Sequence, residues 1–322
     1  MTGKDFYGDA LRGETSTPIW IACLSIILVG FYIVIGAFGA ILGTLVEFLE
    51  INWHPSYYNA EAKPQFLRYL WSVFYDWVPG TLLTIWALYY AQKHLRKRPF
   101  LKLITAAKSF RWKRLLAGIF VFGLLNSCYL LVLYLYPTGP EPALWSETVP
   151  KSGLNLQRTD LNLSWFLMVL PMLLIIVPIN AFMQEAVFRG FLDQALVGKL
   201  KQTLPSFMIS AGLFSLWHIY NYEIAFGAVP YLIGLFIFGF AMSVITSNDG
   251  GIEAAIGIHT ANNIFYTLGI GHTIILLPDT FLLSFGEPNF SPGTVLANLT
   301  IYSLAVIILS KLKYGLNRNG PE

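Results

Sequence analysis

The chain has 322 residues, of which 55% are hydrophobic and only 12% are Lys, Arg, Asp or Glu. Its mean hydropathy of +0.58 is that of a lipid-embedded chain, so the composition excludes a water-soluble enzyme or binding module of this length. The formal net charge of +3 is too small to identify a partner, and only its distribution along the chain is informative.

Long apolar segments recur along the chain, and a helix of roughly 20 such residues crosses the hydrocarbon core of a bilayer. We therefore predict an all-α integral membrane protein, a bundle of about eight transmembrane helices. The predicted spans are 17–49, 66–92, 114–136, 161–197, 204–221, 224–246, 252–271 and 294–313. The segment 272–291 contains Pro278, Asp279 and Glu287, which predict a loop.

Basic residues are concentrated after the second predicted span, where nine Lys or Arg and no acid occur from Lys93 to Arg114. The positive-inside rule places this loop, 93–114, in the cytoplasm, and an even number of spans then places both termini there. Apolar residues interleaved with the basic ones in 95–112 predict an amphipathic segment on an anionic inner leaflet, so we expect membrane lipids and no nucleic acid as partners. We expect a multi-pass protein of a bacterial plasma membrane.

A proline-rich stretch at 137–150 divides the chain into two predicted regions. Residues 1–136 form an N-terminal transmembrane scaffold that includes the basic cytoplasmic loop. Residues 161–313 form a transmembrane core, and this region carries the intramembrane polar side chains from which a function can be inferred.

Polar residues occur within three apolar spans of that core, in the fragments Gln184-Glu185-x-x-x-Arg189, Phe214-x-x-x-His218 and His259-x-x-x-Asn263. Ionisable groups at bilayer depth are costly unless they pair or line a wet cavity. Residues four apart share a helix face, and Gln184 and His218 are equally distant along the chain from the predicted cytoplasmic turn at Lys201. This spacing predicts one assembled polar site, reached from the cytoplasm.

The order Glu-Glu-x-x-x-Arg, Phe-x-x-x-His and His-x-x-x-Asn/Asp on successive transmembrane helices resembles the signature of the CPBP family. These proteins, also called Abi or CAAX-type intramembrane endopeptidases, include the CAAX prenyl proteases and bacteriocin-processing enzymes. The resemblance covers about residues 161–271. It implies that the position of Gln184 activates water, that His218 assists, and that His259 and Asn263 stabilise the oxyanion.

Gln184 departs from that signature, which has glutamate at this position. A glutamine side chain has no basic site near neutral pH and cannot take a proton from water. Glu185 could take over this role, although its spacing to Arg189 predicts a structural ion pair. Three interpretations remain open: a natural protease whose catalytic duty has shifted, a natural member that has lost proteolysis, and an engineered inactive variant.

Two histidines and a carboxylate are also a donor set for zinc, so His218 and His259 are candidate metal ligands. The residues leave open whether hydrolysis would use a metal or a metal-free base.

The sequence predicts an intramembrane endopeptidase that hydrolyses a peptide bond in a membrane-associated or lipidated protein or peptide, in CAAX-type or leader-peptide processing. The alternative is a catalytically inactive family member that acts as a membrane scaffold or a bacteriocin self-immunity protein. A secondary transporter with a buried proton relay ranks below both, because we find no related halves with paired broken helices in the sequence.

Overall fold

The computed structural model describes residues 6–8, 16–28, 78–135, 163–219, 221–265, 270–271, 283–284 and 292–316. Apart from one pair of two-residue strands, the regular elements in these ranges are helical. The helices are α1 (Thr17–Leu28), α2 (Val78–Tyr90), α3 (Leu101–Ile104), α4 (Trp112–Leu135), α5 (Leu163–Glu185), α6 (Gln194–Leu200), α7 (Thr203–Trp217), α8 (Ala228–Asp249), α9 (Glu253–Ile264) and α10 (Pro292–Leu316). A π-helical turn follows α2 (Ala91–Leu95), a π-helical segment joins α5 to α6 (Ala186–Asp193), and a 3₁₀ turn precedes α8 (Tyr222–Phe226).

Candidate membrane-crossing helices are present among the described residues. Three segments are long and apolar enough to span a bilayer: Leu173–Leu200, Ala228–Asp249 and Val295–Leu312. Two shorter apolar helices accompany them, Thr17–Leu28 and Thr203–Trp217. Parts of the first two predicted spans, 29–49 and 66–77, lie outside the described residues, so the total of about eight spans remains a prediction.

The seventh predicted span, 252–271, is α-helical over Glu253–Ile264, and 266–269 lie outside the described residues. α9 has 12 residues, and Ile270–Gly271 instead forms strand β1, which pairs in parallel with β2, Leu283–Ser284. Apart from this pair of two-residue strands, the described elements confirm the all-α prediction.

The helix that carries the first polar fragment changes from α-helical to π-helical geometry within that fragment. α5 contains Pro171 and Pro178, each of which removes a backbone donor from the helix. The path widens into the π-helical segment directly after Glu185 and returns to an α-helix at Gln194. Single π-helical segments of this kind are frequent at functional sites because they re-aim the side chains they carry.

Two glycines bring α9 into direct contact with the backbone of α4. A Cβ atom at Gly118 would collide with the carbonyl oxygen of Ala254, and one at Gly257 would collide with that of Leu115. Small residues at such positions allow helices to approach closely in a membrane. The contact sets the rotation of α9 and therefore the direction of His259, two residues beyond Gly257.

The basic loop folds back onto the turn between α8 and α9. Arg111 Nη2 lies 2.6 Å from Glu253 Oε2, and Arg114 Nε donates a hydrogen bond to Asp249 Oδ2 at 2.8 Å. Within the predicted amphipathic segment, only α3 is α-helical before α4 begins. The segment is a folded loop held by the Arg111–Glu253 ion pair, and the Arg114–Asp249 pair follows at the start of α4. Its contact with the inner leaflet stays a prediction.

Candidate functional site

Glu185 and Arg189 form the buried centre of the polar cluster, and neither side chain is exposed. Arg189 Nε lies 3.4 Å from Glu185 Oε2, and Arg189 Nη2 donates to the Gly239 carbonyl of α8 at 2.8 Å. A Cβ at Gly239 would lie 3.1 Å from that guanidinium, so the glycine makes room for it. The predicted contact between Glu185 and Arg189 is thus present and joins α5 to α8.

His259 reaches the same carboxylate from α9. Its Nδ1 lies 2.7 Å from Glu185 Oε1, and its side chain is 5% exposed. An ionised carboxylate can only accept hydrogen bonds, so we assign the Nδ1 proton to the histidine, which leaves Nε2 of the neutral ring as a base. The imidazole packs against the Phe238 ring with centroids 5.0 Å apart.

His218 caps the C-terminal end of α7 and is half-buried. Its Nδ1 lies 2.8 Å from the Phe214 carbonyl oxygen, which accepts a hydrogen bond and leaves Nε2 as the second nitrogen of the ring. The Phe214 ring centroid is 4.6 Å from that of His218 and 6.1 Å from that of His259. Arg189 also lies over this ring, at 4.6 Å, so Phe214 is the contact that connects both histidines to the buried ion pair.

Gln184 points away from Glu185, as adjacent helix positions do. Its Nε2 donates to Asn180 Oδ1 at 2.9 Å, and Asn180 Nδ2 donates to Thr81 Oγ1 of α2 at the same distance. The Gln184 oxygen Oε1 is buried and accepts no hydrogen bond from any residue that the structure describes. The amide of Gln184 therefore belongs to a polar chain between α5 and α2.

Asn263 lies one turn after His259 on α9 and is half-buried. It accepts a hydrogen bond from Asn262 Nδ2 at 3.1 Å, and Tyr302 of α10 donates to Asn262 Oδ1 at 3.3 Å. Of the residues predicted to form the site, the structure brings Glu185, Arg189 and His259 into direct contact and adds His218 through Phe214. Gln184 and Asn263 flank this group and make their hydrogen bonds elsewhere.

Two residues of this region were missed by the sequence analysis. Asn180, which holds Gln184, precedes it by one helical turn, and this spacing of two amides was a detectable signal. Asp193 follows Arg189 by four residues and is fully buried, within electrostatic range of that arginine and beside Ser210. Its spacing was an equally detectable signal, because Glu185, Arg189 and Asp193 follow one another at intervals of four residues.

The donor set does not fit the zinc site that the sequence left open. Among the described residues, no group of three or more His, Cys, Asp or Glu side chains is placed to hold a metal ion. Glu185 already faces the Arg189 cation and the Nδ1 of His259, and a second cation on that carboxylate would be repelled by the guanidinium. We therefore derive no step that passes through a metal.

Comparison with known proteins identifies the domain that contains this cluster. Residues 165–265 match the family model described as type II CAAX prenyl endopeptidase Rce1-like. The chain carries an Rce1-like domain. The matched range includes all six predicted site residues and agrees with the CPBP resemblance of the sequence.

The chain is also similar along most of its length to a Bacillus subtilis (strain 168) protein that bears the name "Uncharacterized protein YyaK". The two are 29% identical over 298 residues, which cover 89% of this chain and 91% of the relative. No solved structure matches the chain. Its apolar helices together with the Rce1-like domain identify an integral membrane protein.

Proposed function

We propose that this protein is an intramembrane endopeptidase of the CAAX type, which hydrolyses a peptide bond in a membrane-associated or lipidated protein or peptide. The observation that carries the proposal is the 2.7 Å contact between Glu185 and His259, inside an Rce1-like domain. A carboxylate that orients a histidine is a recurrent way to make an imidazole act as a general base.

We assign the water-activating role to His259 because Gln184 cannot perform it. In this mechanism Nε2 of His259 takes a proton from water as the water oxygen attacks the peptide carbonyl carbon. Glu185 stabilises the imidazolium, which then gives its proton to the leaving amine as the carbon–nitrogen bond breaks. Arg189 holds Glu185 in position, and the carboxylate balances the charge of the guanidinium.

The oxyanion of the tetrahedral intermediate requires hydrogen-bond donors. We assign this role to the side-chain amide of Asn263, which flanks the Glu185–His259 pair, whereas His218, whose Nδ1–H bonds the Phe214 carbonyl, offers Nε2 as an acceptor that can hold the attacking water. This amide can donate without changing its protonation state, since it is neutral and carries two N–H groups.

The test is peptide cleavage by the purified full-length chain in proteoliposomes, with lipidated and unmodified membrane-anchored peptides as reporters. His259→Gln should lower the cleavage rate by about 10²–10⁴-fold, the usual contribution of a general base. Glu185→Gln should also reduce it while preserving the shape of the side chain. His94→Gln is the matched control, because His94 is an exposed histidine of the basic loop and should leave the rate unchanged. Full activity of His259→Gln would refute the assignment.

A second function is favoured by one observation, the amide of Gln184 at the position of the family's glutamate. In this reading the protein is a catalytically inactive membrane scaffold or a bacteriocin self-immunity protein. It would bind membrane-anchored peptides without cleaving them, and its biological effect would survive in the His218→Ala/His259→Ala variant. Loss of that effect in the same variant, with the protein still folded, would favour the endopeptidase.

A further inference from the structure

An open cavity of about 490 Å³ lies at the end of α2, apart from the Glu185–His259 site. Its walls come from the last turn of α2, the π-helical turn that follows it, and the first residues of the basic loop. The lining residues are Tyr89, Lys93, Lys97, Arg98, Pro99 and Phe100. Three of the six are cations and none is an acid, so the cavity suits an anion.

The fold holds these cations in place. Arg98 is only 6% exposed, its backbone N–H donates to the Gln92 carbonyl at 2.9 Å, and its Nη1 lies 3.4 Å from Gln194 Oε1 of α6. Lys97 has a left-handed backbone with a φ of 52°, a conformation that a lysine adopts at a cost. Tertiary contacts therefore fix the conformation of this turn, so its basic residues are more than a series of exposed surface charges.

The chemistry of the lining matches a phosphate group. Lys93 Nζ donates to the Tyr89 hydroxyl at 2.6 Å, which uses one of the three donors of its ammonium group. A guanidinium presents paired donors that fit two phosphate oxygens, and an ammonium adds a compact positive charge. Tyr89 and Phe100 supply apolar faces beside these charges, so an amphipathic ligand fits better than a purely ionic one.

Exposed aromatic side chains place the cavity at the level of lipid headgroups. Trp86 is 58% exposed, and Tyr89 and Tyr90 are 39% and 38% exposed, all within the last turns of α2. Trp and Tyr concentrate at the boundary between hydrocarbon and headgroups. The cavity follows this aromatic belt directly and opens on the basic loop, on the side that the positive-inside rule assigns to the cytoplasm.

We propose that this cavity is a binding site for the headgroup of an anionic phospholipid of the inner leaflet. The phosphodiester lies among Lys93, Lys97 and Arg98, and the glycerol region packs on Tyr89 and Phe100. Basic cavities at the cytoplasmic ends of transmembrane helices are a known means of lipid recognition. Because Arg98 contacts Gln194 of α6, an occupied site also holds the basic loop against the helical path that carries Glu185.

The test measures lipid binding by the purified full-length protein, using native mass spectrometry and thermal unfolding in detergent. The probes are phosphatidylglycerol, phosphatidylcholine and inorganic phosphate. Phosphatidylglycerol should bind and raise the unfolding temperature, whereas phosphatidylcholine should not. Lys93→Gln and Lys97→Gln should each weaken phosphatidylglycerol binding about five-fold, the effect expected for one basic residue near a membrane surface.

Lys201→Gln is the matched control, because Lys201 is also exposed, also left-handed with a φ of 56°, and also lies in a predicted cytoplasmic turn. It should leave binding unchanged. Lys97→Arg keeps the charge and should retain binding, which separates loss of the site from misfolding. If Lys201→Gln weakened phosphatidylglycerol binding equally, the lysines would act only through general electrostatic attraction to the lipid, and the proposal would be overturned. Displacement of the lipid by equimolar inorganic phosphate would assign the site to a soluble anion instead.

Discussion

Glu185 has two partners at once, the Arg189 cation and the Nδ1 of His259. A buried carboxylate with a single partner would leave hydrogen-bonding capacity unused in a medium that offers no water. Here Oε1 lies 2.7 Å from His259 Nδ1 and accepts from Arg189 Nη1 at 3.4 Å, whereas Oε2 has the Arg189 charge at 3.4 Å and no hydrogen bond from a described residue. The fully buried carboxylate therefore holds His259 through Oε1, the contact on which its proposed orienting role rests.

The ion pair can be tested by removing its acid. Glu185→Ala removes the carboxylate paired with Arg189 and leaves the buried guanidinium with the Gly239 carbonyl, the Phe214 ring and the Asp193 charge, so we expect the free energy of unfolding to fall by about 3–5 kcal/mol. Denaturant unfolding of the purified protein measures this loss. Glu185→Gln, which keeps hydrogen-bonding oxygen and shape, should lose less. Unchanged stability of Glu185→Ala combined with lost cleavage would show instead that the carboxylate acts in the chemistry.

Gln184→Glu tests whether a carboxylate at this position adds a second base to the His259 imidazole. Gln184→Glu places a carboxylate where the family's signature has one, and we expect the cleavage rate to rise by up to about 10²–10⁴-fold. Asn180 can accommodate it by rotating its amide, because Thr81 Oγ1 can donate as well as accept a hydrogen bond. Gln184→Met is the control, since it conserves length but adds no base and should not raise the rate. Undetectable cleavage by both the unmodified chain and Gln184→Glu would favour the scaffold function.

At the scale of elements, the contact between α4 and α9 determines where His259 points. Gly118 and Gly257 allow the two backbones to touch, so the position of α9 depends on the absence of two side chains. The π-helical segment has the corresponding role on the other side of the site. It starts at the residue after Glu185 and carries Arg189 to the Gly239 carbonyl.

Alanine substitutions test this packing. Gly118→Ala and Gly257→Ala should each lower the free energy of unfolding by about 1–3 kcal/mol, because the added Cβ meets backbone that cannot move aside locally. Both should also lower cleavage by displacing His259. Gly123→Ala, on the same helix as Gly118, is the matched control, because a Cβ there meets nothing within 4 Å. Equal stability of all three variants, measured by denaturant unfolding, would contradict the role given to the contact.

At the scale of the whole molecule, the ion pairs of Arg111 with Glu253 and Arg114 with Asp249 join the two regions that the sequence separates. The arginines come from the end of the basic loop and the start of α4, and the acids flank the turn between α8 and α9. Through these ion pairs the basic loop holds together the helices that carry the site.

The orientation of the whole chain can be measured by cysteine labelling. In a background with Cys23 and Cys128 replaced, single cysteines in 137–160 should react with an impermeant reagent added from outside. Single cysteines at exposed positions in 93–114 should be protected, because the basic loop is retained in the cytoplasm. The opposite pattern would invert the topology and move the proposed lipid site to the outer leaflet.

Local spacing and composition were sufficient to predict several features of this protein. Hydropathy predicts the membrane helices, and its boundaries for α4, α8 and α10 agree with the structure to within a few residues. The contact of Glu185 with Arg189 was predictable because residues four apart on a helix meet whatever the rest of the chain does. The three polar fragments in order were sufficient to indicate the family.

Only the tertiary structure decided how Glu185 is used. Its contact with His259 joins residues 74 positions apart on α5 and α9, and α5 is apolar on nearly every face, so its periodicity does not reveal which side faces the site. The rotation of each helix is set by close packing at Gly118, Gly257 and Gly239, a property of pairs of helices rather than of a segment. For the same reason the sequence could not show that Gln184 turns toward Asn180, while Glu185 alone meets the histidine.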